Sequence, residues 1–123
     1  MAELDVDAMI ADVKTLVEIE SPSLDLAQLH KSAEALATII ERLLGGRCEL
    51  IESSAGPHVH WKGSDAATVL LLGHHDTVFP MGTLDRRPFA VTDSVMTGPG
   101  CFDMLAGIVQ ALQLVVGIDD VEW

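Results

Sequence analysis

The stretch that decides the reading is Val69-Leu70-Leu71-Leu72-Gly73-His74-His75-Asp76-Thr77-Val78. Residues 68–72 form an unbroken apolar run, the pattern of a strand covered on both faces. A glycine follows, then three polar side chains. A central strand that delivers polar residues at its C-terminal end places them where open α/β sheets bind ligands. In extended backbone His74 and Asp76 share one side, and His75 faces the other. Imidazole is a common zinc ligand, and a nearby carboxylate can hold its second ring nitrogen. Alone, a His-x-Asp is equally a strand-end histidine in a polar loop.

Upstream, Val6, Met9, Ile10, Val13, Leu16 and Val17 recur at helical spacing and predict an amphipathic helix over residues 4–19. Ser21-Pro22 ends it, because the residue before a proline is pushed out of the α region. A second helix is expected from Asp25, with Gln28 as a loose capping box and Leu29, Ala33, Leu36, Ile40, Leu43 and Leu44 as its buried stripe. Gly45-Gly46 supplies the stop. Residues 48–53 and 58–62 alternate like strands, and residues 89–92 and 95–97 read as a hairpin around Asp93-Ser94. From 103 to 116 the pattern is helical again, with Gly117 as its end. Helices, then strands, then a helix predict a layered α/β domain, a mixed sheet with flanking helices and residues 68–72 near its centre.

The chain has 123 residues, which predicts one domain over positions 1–123. Hydrophobic residues make up 49% and charged residues 21%, a globular composition. Acids outnumber bases 19 to 7, giving a net charge of −12. Nucleic-acid backbones and anionic membranes both need basic surface, so neither is an expected partner. The two cysteines, Cys48 and Cys101, make no disulfide framework and read as free thiols in a reducing compartment. Residues 1–7 lack a basic, then apolar, leader pattern, and residues 69–72 are too few to span a bilayer. The expectation is a soluble, cytoplasmic protein.

A second motif is Gly98-Pro99-Gly100-Cys101-Phe102-Asp103. Two glycines let the backbone bend and come close to a site. By itself the segment is a turn closed by an N-cap aspartate. Taken together, the two motifs resemble the zinc exopeptidase and deacylase family of glutamate carboxypeptidase, acetylornithine deacetylase and succinyl-diaminopimelate desuccinylase. That family has an apolar strand, a small residue, His-x-Asp and Thr-Val, followed later by Gly-x-Gly-x-x-Asp. Pro88-Phe89 between the motifs and the first helix ending at Ser-Pro are also similar. The resemblance covers essentially the whole chain, as the N-terminal part of a zinc-exopeptidase-like catalytic domain.

The resemblance implies hydrolysis of a peptide or N-acyl amino-acid amide bond at a pair of zinc ions. His74 would bind one zinc, Asp103 would bridge both, and Asp76 would act as the catalytic residue that orients His74. It also implies a cis peptide bond between Asp103 and Met104. The sequence departs from the family in two places. Leu105 stands where the family has a lysine. The Glu-Glu pair supplying the general base and a ligand, a further acidic ligand, a late histidine and the dimerisation domain have no counterpart here. Asp119, Asp120 and Glu122 read as a solvated loop. The isolated chain is therefore expected to be inactive and to bind zinc weakly. An unpaired sheet edge would favour a homodimer or higher oligomer, and the rival to an enzyme part is a non-catalytic, self-associating module.

Four other residue groups carry weaker signals. His75 reads as an extra histidine pointing away from the ligands. His58 and His60 alternate beside Trp61, as on a sheet face or subunit contact. Cys101 is a small residue near the proposed metal and a conceivable soft ligand. Arg86-Arg87 could steer a substrate carboxylate, or be plain surface.

Overall fold

The computed structural model describes residues 3–118. Asp119, Asp120 and Glu122 lie outside the described residues. Helix α1 spans Val6–Val17, and the Asp5 carboxylate accepts from the Ala8 N–H at 2.9 Å. This satisfies one of the four N–H groups a helix start leaves unpaired. Helix α2 spans Leu26–Leu44, capped by Asp25, which accepts from the Gln28 N–H at 3.1 Å. Only half of the expected capping box forms. The Gln28 side-chain amide instead donates to the Ile19 and Glu20 carbonyls, at 2.7 and 2.8 Å, and ties the chain after α1 to α2. Gly45, at φ +74°, ends α2 in a conformation that suits glycine.

Strands β1 (Glu49–Ile51) and β2 (His58–His60) pair antiparallel, with Leu50 opposite Val59. A short helix α3, Thr83–Arg86, follows. Its start is capped from far away: the Glu20 carboxylate accepts from the Gly82 and Leu84 N–H groups at 3.2 and 3.0 Å. Strands β3 (Ala90–Thr92) and β4 (Val95–Thr97) form the expected hairpin. Asp93 and Ser94 both have positive φ, as a two-residue turn matched to the strand twist requires.

The last helix begins later than its periodicity predicts. Residues Cys101–Leu105 form a wide turn in which Asp103 and Met104 have non-helical backbone angles, and α4 spans Ala106–Val116. Asp103 is therefore part of the turn and not an N-cap. Between the helices lies one apolar cluster: Val13, Leu16 and Val17 of α1; Leu36, Ile39 and Ile40 of α2; Val109 of α4; and Cys101 and Leu105 of the turn. Arg42 of α2 donates to Asp12 of α1 at 2.6 Å across the same contact.

The chain thus combines helices with small antiparallel sheets, but the expected layered sheet is not assembled among the described residues. The strands form two separate two-stranded sheets, and residues 68–72 join neither. Their side chains are bare: Val69, Leu70, Leu71 and Leu72 are 73, 78, 61 and 86% exposed. A strand needs a neighbour's N–H and C=O groups to build a ladder. Here β1 and β2 pair only with each other, as do β3 and β4. No helix among the described residues is long and apolar enough to cross a membrane.

Candidate metal centre

The site starts at Ser21-Pro22-Ser23, the loop that leaves α1. It runs alongside residues 75–77 as a one-pair parallel bridge, Pro22 to Thr77. The Thr77 N–H donates to Ser21 O at 2.8 Å, and the Ser23 N–H donates to Thr77 O at 2.9 Å. The buried Ser21 hydroxyl donates to His75 O at 2.7 Å. On the other side, His75 does more than its reading as an extra histidine allowed. Its Nε2 faces the Pro57 carbonyl at 3.2 Å, which only accepts, so Nε2 carries the ring proton. Nδ1 then accepts from the buried Ser32 hydroxyl of α2 at 3.0 Å. These bonds fix the backbone that carries His74 and Asp76. Because strand alternation alternates sides, His75 can be pinned inward while its two neighbours face outward.

The second motif meets the first through its glycines. Gly100 has φ +76°, and a Cβ there would lie 2.3 Å from Thr77 Cγ2. Only a residue without a side chain lets the Gly98–Asp103 turn come this close to the His74 segment. The Asp103–Met104 peptide bond is cis, where the family resemblance puts one. Met104 reaches back, and its sulfur accepts from the His74 backbone N–H at 3.4 Å. Leu105 is 1% exposed and sits in the core.

The three residues named from the sequence come together. His74 Nε2 lies 3.0 Å from Asp103 Oδ1. His74 Nδ1 lies 3.2 Å from Asp76 Oδ1 and 3.1 Å from the Asp76 carbonyl. Asp76 Oδ2 accepts from the Ser23 hydroxyl at 2.5 Å. They line an open depression of about 280 Å³ with Ser23, Phe79 and Phe102. Burial works against a charge on His74. The hydrogen bonds to the Asp76 carbonyl and Asp103, and the charges of both carboxylates, outweigh it and hold its pKa above the ordinary 6.5. The Ser23 hydroxyl is the largest cause that draws Asp76 below its ordinary 3.8; burial opposes it and the His74 charge adds to it.

The donor chemistry follows from a proton count. A neutral imidazole carries one proton. The partners of both ring nitrogens only accept: the Asp76 carbonyl and carboxylate at Nδ1, and the Asp103 carboxylate at Nε2. One proton cannot serve both sides, and with the proton on Nδ1 the Nε2 lone pair would face a carboxylate oxygen 3.0 Å away, so the arrangement calls for a further cation: a second proton or a metal ion. Two ligand atoms on one tetrahedral zinc stand roughly 3.3 Å apart, close to the observed spacing. Imidazole plus carboxylate is a suitable donor pair for zinc, and a carboxylate behind the imidazole is its usual support. The pair is short of a full set. Among the described residues no group of three or more histidine, cysteine, aspartate or glutamate side chains is placed to hold a metal.

The remaining candidates lie apart from this pair. His58 and His60 sit exposed on β2, with His60 3.8 Å from Glu49 on β1. Cys101 is buried with its sulfur toward Met96 O, and desolvation raises its thiol pKa, so it stays protonated. Both cysteines are free. Arg86 and Arg87 are exposed, and Arg87 borders a second depression next to Phe79 and Gly98. Sequence reasoning missed Ser23 and His75 as supports of the site. The Ser-Pro-Ser spelling was visible, but its pairing with a segment more than fifty residues away was not.

Comparison with known protein families, with curated proteins and with solved structures finds no match to this chain.

Proposed function

We propose that this chain supplies the N-terminal part of a zinc-dependent metallopeptidase or amidohydrolase centre, of the glutamate carboxypeptidase kind, acting on a peptide or an N-acyl amino acid. One observation carries the reading: His74 is held between two carboxylates, with Asp76 on Nδ1 and Asp103 on Nε2. In this reading His74 and Asp103 are the metal ligands. Asp76 holds the Nδ1 proton and keeps the Nε2 lone pair aimed at the metal. Zinc, when bound, supplies a Lewis acid that polarises a carbonyl and acidifies water.

Two protein donors fall short of the three or four that a zinc site usually uses. The remaining ligands and the general base come from outside the described residues, in this reading from the rest of a layered sheet whose central strand is residues 68–72. Zinc held by the chain alone is therefore weak. Loss of a general base removes roughly 10²–10⁴-fold in rate, so the isolated chain is inactive. The test is zinc binding followed by competition with a chromogenic chelator. Binding that Asp103→Asn and His74→Ala both abolish supports the centre. Binding indifferent to both substitutions sinks it, whereas robust amide hydrolysis by the 123-residue chain would refute its inactivity in isolation.

A second reading, a non-catalytic and self-associating module derived from such an enzyme, is favoured by two observations. Leu105 occupies the core where the family has a lysine, and residues 69–72 expose a continuous apolar run. Both readings carry a homodimer or higher oligomer, and sedimentation checks it: a clean monomer at tens of micromolar counts against self-association.

A further inference from the structure

Seven basic residues stand among nineteen acids in this chain. Lys14, Arg42 and Lys62 are paired with Glu18, Asp12 and Asp65. Arg87 has no ion-pair partner among the described residues, although the net charge is −12. It borders a depression of about 400 Å³, and it is the one charged residue in that lining among the described residues. Ala90 and Thr97 stand opposite each other on β3 and β4, so their side chains share one face there. Phe79, Pro88 and Pro99 add apolar walls. Phe79 and Gly98 also line the depression that holds His74, Asp76 and Asp103, so the two hollows adjoin.

The hollow is set in place by the fold. The Arg87 N–H donates to Thr83 O at 2.8 Å, and α3 is itself held by the Glu20 carboxylate. On the opposite wall Pro99 is buried, and a Cβ on Gly98 would lie 3.0 Å from Val17 Cγ1 of α1. The lining selects its occupant by charge and polarity. A guanidinium offers a planar fork of N–H donors that matches the two oxygens of a carboxylate. One positive charge balances one negative charge, and no second base lines the hollow to balance a phosphate dianion. The apolar walls suit a hydrocarbon body. We propose that this depression is a subsite for a monocarboxylate with an apolar body, held at its charged end by Arg87 and reaching past Phe79 toward His74. The subsite rests on the metal reading above for its place in a reaction, where it would seat the far end of the substrate. Its binding of an apolar acid needs no metal.

The test follows amide spectra of the full, metal-free chain while hydrocinnamate, hydrocinnamyl alcohol or phenethyl phosphate is added. Hydrocinnamate should shift the Ala90, Thr97 and Gly98 resonances along saturable curves. The alcohol keeps the apolar body and loses the charge, and should bind about tenfold more weakly, the scale of one charge-assisted hydrogen bond at an exposed site. The phosphate should also bind more weakly than the acid. Arg87→Gln should cost hydrocinnamate the same factor. Arg86→Gln removes an equal charge from the neighbouring position and should leave its affinity unchanged. Alcohol or phosphate binding as tight as that of the acid overturns the subsite. So does undiminished affinity in Arg87→Gln, or an equal loss in Arg86→Gln. Titration with zinc ion alone keeps the two ideas apart. If Asp103→Asn and His74→Ala leave zinc binding intact, the metal reading fails, and the hydrocinnamate titration still decides the role of Arg87.

Discussion

Residues 69–72 and residues 74–77 belong to one extended segment, and the structure holds them in opposite ways. The first four are apolar and bare, with no ladder on either edge among the described residues. The next four are mostly polar and are fixed from two sides, by Ser21 and Ser23 on one and by Ser32 and the Pro57 carbonyl on the other. Hydrophobicity does not decide the difference, since it would bury the wrong half. Backbone and side-chain hydrogen-bond partners decide it. The loop after α1 passes beside residues 75–77, and no described strand passes beside 69–72.

The sharpest way to test that contrast is to cut the same side chain in the packed and the bare regions. Leu16→Ala, in the core, should cost about 3 kcal/mol in urea unfolding. Leu71→Ala, in the bare run, should stay within about 0.5 kcal/mol. Equal costs would mean that residues 69–72 are buried in solution, and the contrast would fail. Gly100→Ala comes next. A Cβ 2.3 Å from Thr77 Cγ2, at a φ of +76°, forces the two motif segments apart. The expected loss is about 1–3 kcal/mol, together with loss of the His74–Asp103 contact, seen as a shift of the His74 ring resonances. An unshifted ring would mean the turn can adapt without moving Asp103.

A smaller effect is expected at Ser21. Ser21→Ala strands the His75 carbonyl, and should cost about 1–2 kcal/mol and speed amide exchange at Thr77. Unchanged exchange there would show that the backbone bridge alone holds the segment. The smallest effect is on pH. His74's pKa is raised in the fold, so its charged form adds stability that is full below pH 6.5 and is lost as pH rises through the raised value. About half its side chain is exposed, so after solvent screening the contribution is well under ~1 kcal/mol. Zinc affinity should run the other way and rise over the same range, because metal and proton compete for Nε2. Substituting His74 by alanine should remove both trends; if either survives, another group titrates there.

The helices were legible because their signals are local. Asp5 and Asp25 cap the N–H groups three residues on, and the apolar spacing of α2 names the face it buries. The β3–β4 hairpin was legible from Asp93-Ser94 for the same reason. Residues 68–72 were read as a buried central strand because an apolar run specifies only that a strand wants cover, and cover is supplied by other segments. The start of α4 was misplaced because apolar periodicity continues through Leu105 while the backbone does not. At the site, the His-x-Asp and Gly-x-Gly-x-x-Asp spellings mark His74, Asp76 and Asp103, and the three stand together. The supports carry no such mark, since Ser21, Ser23, Ser32 and Pro57 act across 18 to 54 residues of chain. Helix α3 was missed likewise, because its cap is Glu20.

The clamp on His75 also bears on how such a centre is completed. Ordering a flexible segment at the moment of association subtracts directly from the affinity of the union. Here the imidazole and its supporting carboxylate are anchored to α2 and to the loop after α1 before any partner arrives. A segment that laid itself along residues 69–72 would find the ligand-bearing residues already in place. It would have only its own freedom to lose.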